Sequence, residues 1–170
     1  MVNKPEELLI PEARRKNMRA IKSRDTKPEV KIRKALYARG YRIAAKNITG
    51  KPDLWLSRLN AAIFINGGFW HAHGCKLFKI PKIKTELWKE KLNRNIARDR
   101  KTLEKLAEDG LRLLIVWECS FKHMSSKSFP LTVSLIVTWL ESEATFGVIN
   151  NEGLNYFEKY DSIAMTGNTV

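Results

Sequence analysis

Apolar and polar positions along this chain change period several times, and each change marks an element. Met18 and Ile21 fall on one face of a helix expected from Glu12 to about Lys22. Thr26-Lys27-Pro28-Glu29 has the form of a capping box and opens a second helix to about Arg39, with Gly40 ending it. Pro28 is tolerated there because first-turn amides have no intrahelical partner. Three short strands are expected next: Tyr41–Ala44, Asp53–Leu56 and Ala61–Ile65. Ser57 and Asn60 between the last two suit a hairpin turn. A long helix then runs from Thr85 to Asp109. Trp88, Leu92, Ile96, Leu103 and Leu106 line one side of it, and Lys91, Arg94, Arg98, Lys101 and Lys105 a roughly opposite one. Gly110 ends it. The unbroken apolar run Arg112–Trp117 reads as a strand covered on both faces, and Leu131–Leu140 as a final helix. Residues 143–170 promise a short strand at most.

This order describes an α/β protein, a small mixed sheet flanked by helices. Its 170 residues suffice for one well-packed domain but not two. Pro5 and Pro11 bracket a charged segment, so residues 1–12 are expected to form a flexible arm, 13–142 the domain and 143–170 a C-terminal extension. Lys and Arg total 31 against 18 Asp and Glu, a formal net charge of +13. That excess favours a polyanionic partner, and nucleic acid is the usual one for a cationic domain. No apolar run reaches transmembrane length, and the N-terminal MVNKPEELLIPEARRK lacks a signal-peptide core, so a cytoplasmic protein without a membrane role is expected.

Candidate chemistry concentrates in NGGFWHAHGC, Asn66 to Cys75, which holds two of the three histidines and one of the two cysteines. Upstream, Pro52-Asp53 at a strand start is either a turn or an oxygen anchor for Mg²⁺. In the common PD-(D/E)xK nucleases the next strand supplies Glu-x-Lys; here that strand is AAIFIN, with neither. His71 is the substitute base, an imidazole able to take a proton from an attacking water, unless it only hydrogen-bonds within its loop. Phe69 and Trp70 cannot both face a core comfortably from a Gly-rich loop, and such side chains can enter a base stack; burial of one is the alternative. His73, Cys75 and Cys119 have the character of a structural Zn²⁺ set, or are two ordinary buried thiols beside a histidine. Three ligands are one short of a closed site, and His123, four residues after Cys119, could complete it.

Together these residues resemble the very-short-patch repair, or Vsr, family of DNA mismatch nickases. The likeness covers about Arg14 to Phe121: NMRAI with DTKPE, the GKPD turn, IF-x-x-G-x-FWH-x-H-x-C, LFK-x-P-x-x-x-TE-x-W-x-EK with N-x-x-RD, and LIVWEC. It implies a restriction-endonuclease-like fold and a monomeric, Mg²⁺-dependent enzyme that nicks duplex DNA 5′ to the thymine of T:G mismatches left by deamination of 5-methylcytosine. A nucleoid-associated location and mismatch-repair and DNA polymerase partners go with that role. By position, the resemblance implies that Asp53 and the main-chain carbonyl of Ile65 hold Mg²⁺, with His71 as general base and Glu29 acting on the metal site through water. Glu29's capping role does not exclude this. Phe69 and Trp70 would enter the duplex from the major groove and Met18 from the other side, although Met18 at helical spacing also suits plain packing. Lys91, Arg94 and Arg98 would meet the DNA backbone.

Two positions depart from the family. Asn66 stands where it usually has His, and Gly68 where it has a zinc-ligating Cys. Asn66 can donate a hydrogen bond to phosphate but cannot deliver a proton near neutral pH. The loss at Gly68 makes His123 the expected fourth zinc ligand, beside His73, Cys75 and Cys119; zinc held by those three and a water, or no zinc at all, are the other outcomes. Two other readings follow from the same residues: a sequence-specific or restriction-type endonuclease of this fold, and a catalytically silent DNA-binding module.

Overall fold

The computed structural model describes residues 12–22, 24–45, 47–75, 78–122 and 128–160. Two helices come first, α1 (Glu12–Arg19) and α2 (Lys27–Ala38), followed by the hairpin β1 (Leu54–Leu56) and β2 (Ala61–Asn66). The long helix α3 (Thr85–Glu108) leads into β3 (Arg112–Trp117), and α4 (Ser128–Glu141) into a second hairpin, β4 (Phe146–Asn150) and β5 (Gly153–Phe157). The five strands form one sheet in chain order, β1-β2-β3-β4-β5. The hairpins pair antiparallel at its edges, while β2, β3 and β4 run parallel in the middle. This is the expected mixed α/β sheet.

The strand period of two sorts the core into two layers. Ile63, Leu114, Val116 and Ile149 face α2 and α4, meeting Ile32, Leu36, Val133, Ile136 and Trp139. Ala62, Leu113, Ile115, Trp117 and Val148 face the other way, toward Leu103 and Leu106 of α3. With helices on both faces, β3 has no solvent side, which explains its continuous apolar run. Each buried Leu, Ile or Val adds about 1.5–3 kcal/mol of burial. Arg112 fastens α4 to the sheet: its guanidinium donates to the carbonyls of Trp139, Leu140, Ser142 and Ala144 and lies 4.4 Å from the Trp139 ring. It thereby gathers carbonyls at and just beyond the end of α4.

Three expectations need correction. Tyr41–Ala44 is not a strand; one backbone bond, from Ala44 N–H to the Trp55 carbonyl at 2.7 Å, is its link to β1. Residues beyond 142 supply two strands rather than one at most, and Phe146, Val148 and Ile149 are core residues. β4 hides in sequence because Gly147 interrupts its apolar run; a Cβ there would come within 2.7 Å of the Trp139 ring. Thirdly, Thr26 does not cap α2 through its side chain. Its hydroxyl donates instead to Glu29 Oε1 at 2.9 Å. Of the expected N-terminal arm, residues 1–12, Glu12 begins α1 and the rest lie outside the described residues, as does His123.

Candidate active site

β1 and β2 place Asp53 and Ile65 side by side. The Ile65 N–H donates to Asp53 Oδ2 at 2.6 Å, just beyond the last β1–β2 pair. A strand residue points its N–H and C=O toward the same neighbour, so the Ile65 carbonyl opens on the Asp53 edge as well. The Asp53 turn is seated on α3 by Gly50, whose φ of +79° and close approach to Thr102 exclude a side chain.

These groups open onto a cleft of about 920 Å³ at the C-terminal ends of β2 and β3, the usual ligand position in open α/β sheets. Glu29 enters it from α2. It is 3% exposed, Thr26 occupies Oε1, and Oε2 is buried with no hydrogen-bond partner among the described residues. Asp53, Ile65 and Glu29 thus line one cleft, and carboxylate and carbonyl oxygens are the donors that a hard divalent cation takes. Asn66 ends β2 at the same cleft.

His71 faces them from the loop after β2. Its Nδ1 lies 2.5 Å from Oδ2 of Asp99 on α3, leaving Nε2 as the second ring nitrogen. Reading the sequence missed Asp99. The signal was available: Asn95, Asp99 and Thr102 recur at helical spacing and all line the cleft, and Asp99 closes the N-x-x-RD motif. Asn95 was missed too; its amide donates to the Trp70 carbonyl at 3.0 Å and holds the loop.

Phe69 and Trp70 form one aromatic wedge with Trp88 at the start of α3, with centroids 5.0 Å apart for Phe69–Trp70 and 5.4 Å for Phe69–Trp88. Both loop residues are half-buried and both reach the cleft. Lys91 Nζ lies 5.1 Å from the Trp70 ring and 5.3 Å from that of Trp88. Of the three expected backbone-contacting residues, Arg98 lines the cleft, Lys91 covers the wedge, and Arg94 is exposed and pairs with Glu90 at 3.8 Å. Met18 is 38% exposed, on a helix with no buried residue among those described.

Behind the wedge, His73 stacks on Trp117 at 4.0 Å, and the ligand atoms of His73, Cys75 and Cys119 lie within 4.8 Å of one another. Burial pushes the Cys119 thiol up to about 11, with Cys75 beside it adding to the rise. A thiol so placed ionises near neutrality only when a cation compensates. Two sulfurs and an imidazole are the donors Zn²⁺ favours.

A mixed sheet, a cleft pairing carboxylates with a positioned histidine, and a strongly basic chain define an α/β enzyme of the nuclease class. Comparison with known proteins gives the family. Residues 6–77 match the family model for DNA mismatch endonuclease Vsr. The chain is 36% identical over 144 residues to DNA mismatch endonuclease Vsr of Escherichia coli (strain K12), an alignment spanning 84% of this chain and 92% of that protein. It is 42% identical over 108 residues to the type II nicking enzyme V.NmeAIP of Neisseria meningitidis, covering 62% of this chain and 77% of that one. With V.XorIIP of Xanthomonas oryzae it shares 35% over 120 residues, 69% of this chain and 88% of the relative. The chain belongs to the Vsr family of DNA mismatch endonucleases, and its fold is restriction-endonuclease-like. No helix among the described residues is long and apolar enough to cross a membrane.

Proposed function

We propose that this protein is a Mg²⁺-dependent endonuclease that nicks one strand of duplex DNA 5′ to the thymine of a T:G mismatch. The observation that carries this reading is the facing arrangement of Asp53–Ile65 and His71–Asp99 across one cleft, with an aromatic wedge at its mouth. Asp53 and the Ile65 carbonyl would hold Mg²⁺, which when bound supplies charge neutralisation at the phosphate and activation of water. Glu29, with one oxygen tied to Thr26 and the other free, orients water beside them. His71 takes the proton of the attacking water at Nε2, while Asp99 fixes the tautomer and balances the charge that forms. Asn66 donates a hydrogen bond to the phosphate, and the leaving oxygen takes its proton from solvent.

Phe69 and Trp70 enter the stack beside the mismatch and Met18 wedges from the other groove, because a mispaired step costs less to unstack. Arg98, Lys91 and Arg94 meet the phosphate backbone, and the net charge of +13 steers the duplex. His73, Cys75 and Cys119 would hold a structural Zn²⁺ that fixes the loop carrying both wedge and base. The enzyme acts as a monomer in the cytoplasm, on the nucleoid, and hands its nick to mismatch-repair and polymerase factors.

The test is nicking of a T:G duplex and its T:A control, with and without Mg²⁺. Cleavage of the T:G strand alone, dependent on Mg²⁺, is expected. The type II nicking enzymes among the relatives favour one other reading, an endonuclease of the same fold with a different target; equal cleavage of both duplexes would support it. Mismatch binding without any nicking would mark a silent binding module instead.

A further inference from the structure

We infer that Lys122 binds a backbone phosphate of the nicked strand, one adjoining the scissile phosphate, and that Glu118 is the positioning residue that aims it. The inference rests on the proposed nuclease reading and adds a contact to it; its test reads DNA binding, which needs no nicking. Three observations carry it.

The first is where the two side chains stand. β2 and β3 run parallel, and their register ends with Asn66 beside Trp117. Glu118 is the next residue, so it enters at the C-terminal edge of the sheet, where ligands of open α/β sheets bind. β2 itself, AAIFIN, brings neither an acid nor a lysine to that edge. The turn after β3 brings both. The Lys122 N–H donates to the Glu118 carbonyl at 2.9 Å, which folds residue 122 back toward residue 118. Both residues line the cleft with Asp53, Ile65, Asn66 and His71. β3 lies two strands from β1, a lateral offset of about 10 Å from the Asp53 edge. A cation there is placed for the phosphate beside the scissile one.

The second is how the pair is held. Lys122 Nζ lies 3.1 Å from Glu118 Oε1. Glu118 Oε2 lies against the loop backbone at Gly67, where a Cβ would stand 3.5 Å from it. The carboxylate is the seated partner, with its side chain 26% exposed against 45% for Lys122. An ion pair this open adds little stability, so its position matters more than its strength. An ammonium has three donors, and Nζ can keep Glu118 while giving another to a phosphate oxygen.

The third is charge. Glu29, Asp53 and Asp99 already line this cleft, and an unpaired Glu118 would add a fourth carboxylate facing a polyanion. With Lys122 on it, Glu118 is neutralised and holds a cation at the cleft instead.

The test is binding of the full-length protein, without Mg²⁺, to T:G duplexes that carry one methylphosphonate in the thymine strand. That group replaces a charged phosphate oxygen by methyl, and it is placed in turn at the scissile phosphate and at each flanking one. Wild-type protein should lose about 10-fold in affinity at one flanking position, the worth of a charge-assisted hydrogen bond. Lys122→Ala should be weaker by a similar factor on the natural duplex and lose nothing more at that position. Its slope of log affinity against log salt should fall by about 1. Lys122→Arg should restore both readouts. Glu118→Ala should keep the salt slope, since the cation remains, but lose the position-specific penalty, since the cation is no longer aimed. The inference is overturned if the protein binds no duplex, if Lys122→Ala keeps the wild-type slope or the flanking penalty, or if Glu118→Ala keeps that penalty. The Lys122 variants decide the matter even if Glu118→Ala fails to fold. A Lys122-dependent penalty in a protein that does not nick DNA would count against the nuclease reading alone.

Discussion

The Asp99 carboxylate lies 2.5 Å from Nδ1 of His71, joining the middle of α3 to a loop 28 residues earlier. That contact sets which ring nitrogen bears the proton and so which can accept one. Asp99→Asn keeps the size of the side chain and removes its charge. We expect single-turnover nicking to fall by about 10²- to 10⁴-fold, the range of a mis-set general base. Affinity for a mismatched duplex should be unchanged. An equal fall in binding would mean that Asp99 only supports the loop.

Asp53→Asn separates folding from chemistry at the opposite wall. The amide oxygen still accepts from the Ile65 N–H, so thermal stability should hold. The substitution removes the anionic metal anchor proposed for Asp53, so Mg²⁺-dependent nicking should disappear while mismatch binding persists. Thermal melts alongside nicking assays distinguish this from unfolding.

Phe69→Ala and Trp70→Ala each remove part of the wedge. Each should weaken binding to a T:G duplex by about 1–3 kcal/mol, the worth of a stacked base. Binding to the matched T:A duplex should change less, so the affinity ratio is the decisive quantity. If both duplexes lose affinity equally, the rings do not read the mismatch.

Salt dependence tests the basic face of α3. Arg98 lines the cleft, whereas Arg94 is exposed and pairs with Glu90. Arg98→Ala should lower the slope of log affinity against log salt by about 1, the signature of one lost phosphate contact. Arg94→Ala should lower it less.

Gly50→Ala tests the seat of the Asp53 turn. The added methyl meets Thr102 Cγ2 at 2.4 Å in a backbone with φ of +79°. A loss of about 1–3 kcal/mol of stability is expected from crowding and strain. Nicking should slow further than the stability loss explains, because Asp53 shifts against Ile65. Chemical denaturation read beside single-turnover rates checks both.

Helices were readable where an apolar stripe recurs over several turns. Thr85 opens α3 as expected, and its end falls one residue before the expected Asp109. β3 was readable because both its faces are covered. The C-terminal hairpin was not, since Gly147 makes room for Trp139, a residue on another element, and breaks the local pattern. The Thr26–Glu29 motif shows the converse: the spacing was right, but the two side chains bonded each other, leaving Glu29 facing the cleft.

The kinds of chemistry present here are local and could be read from the chain: a carboxylate after a turn, two imidazoles and a thiol in one loop, adjacent aromatics. Composition and spacing state which groups exist and roughly which face of an element bears them. Which groups meet is a matter of long-range packing. Asp99 reaches His71 because α3 lies across the end of β2, and Cys119 joins His73 and Cys75 because β3 pairs in parallel with β2. Gly68 is informative for the same reason. In the sequence it is a departure from the family pattern that the resemblance implies; in the fold, a Cβ there would stand 3.6 Å from Cys75 Sγ.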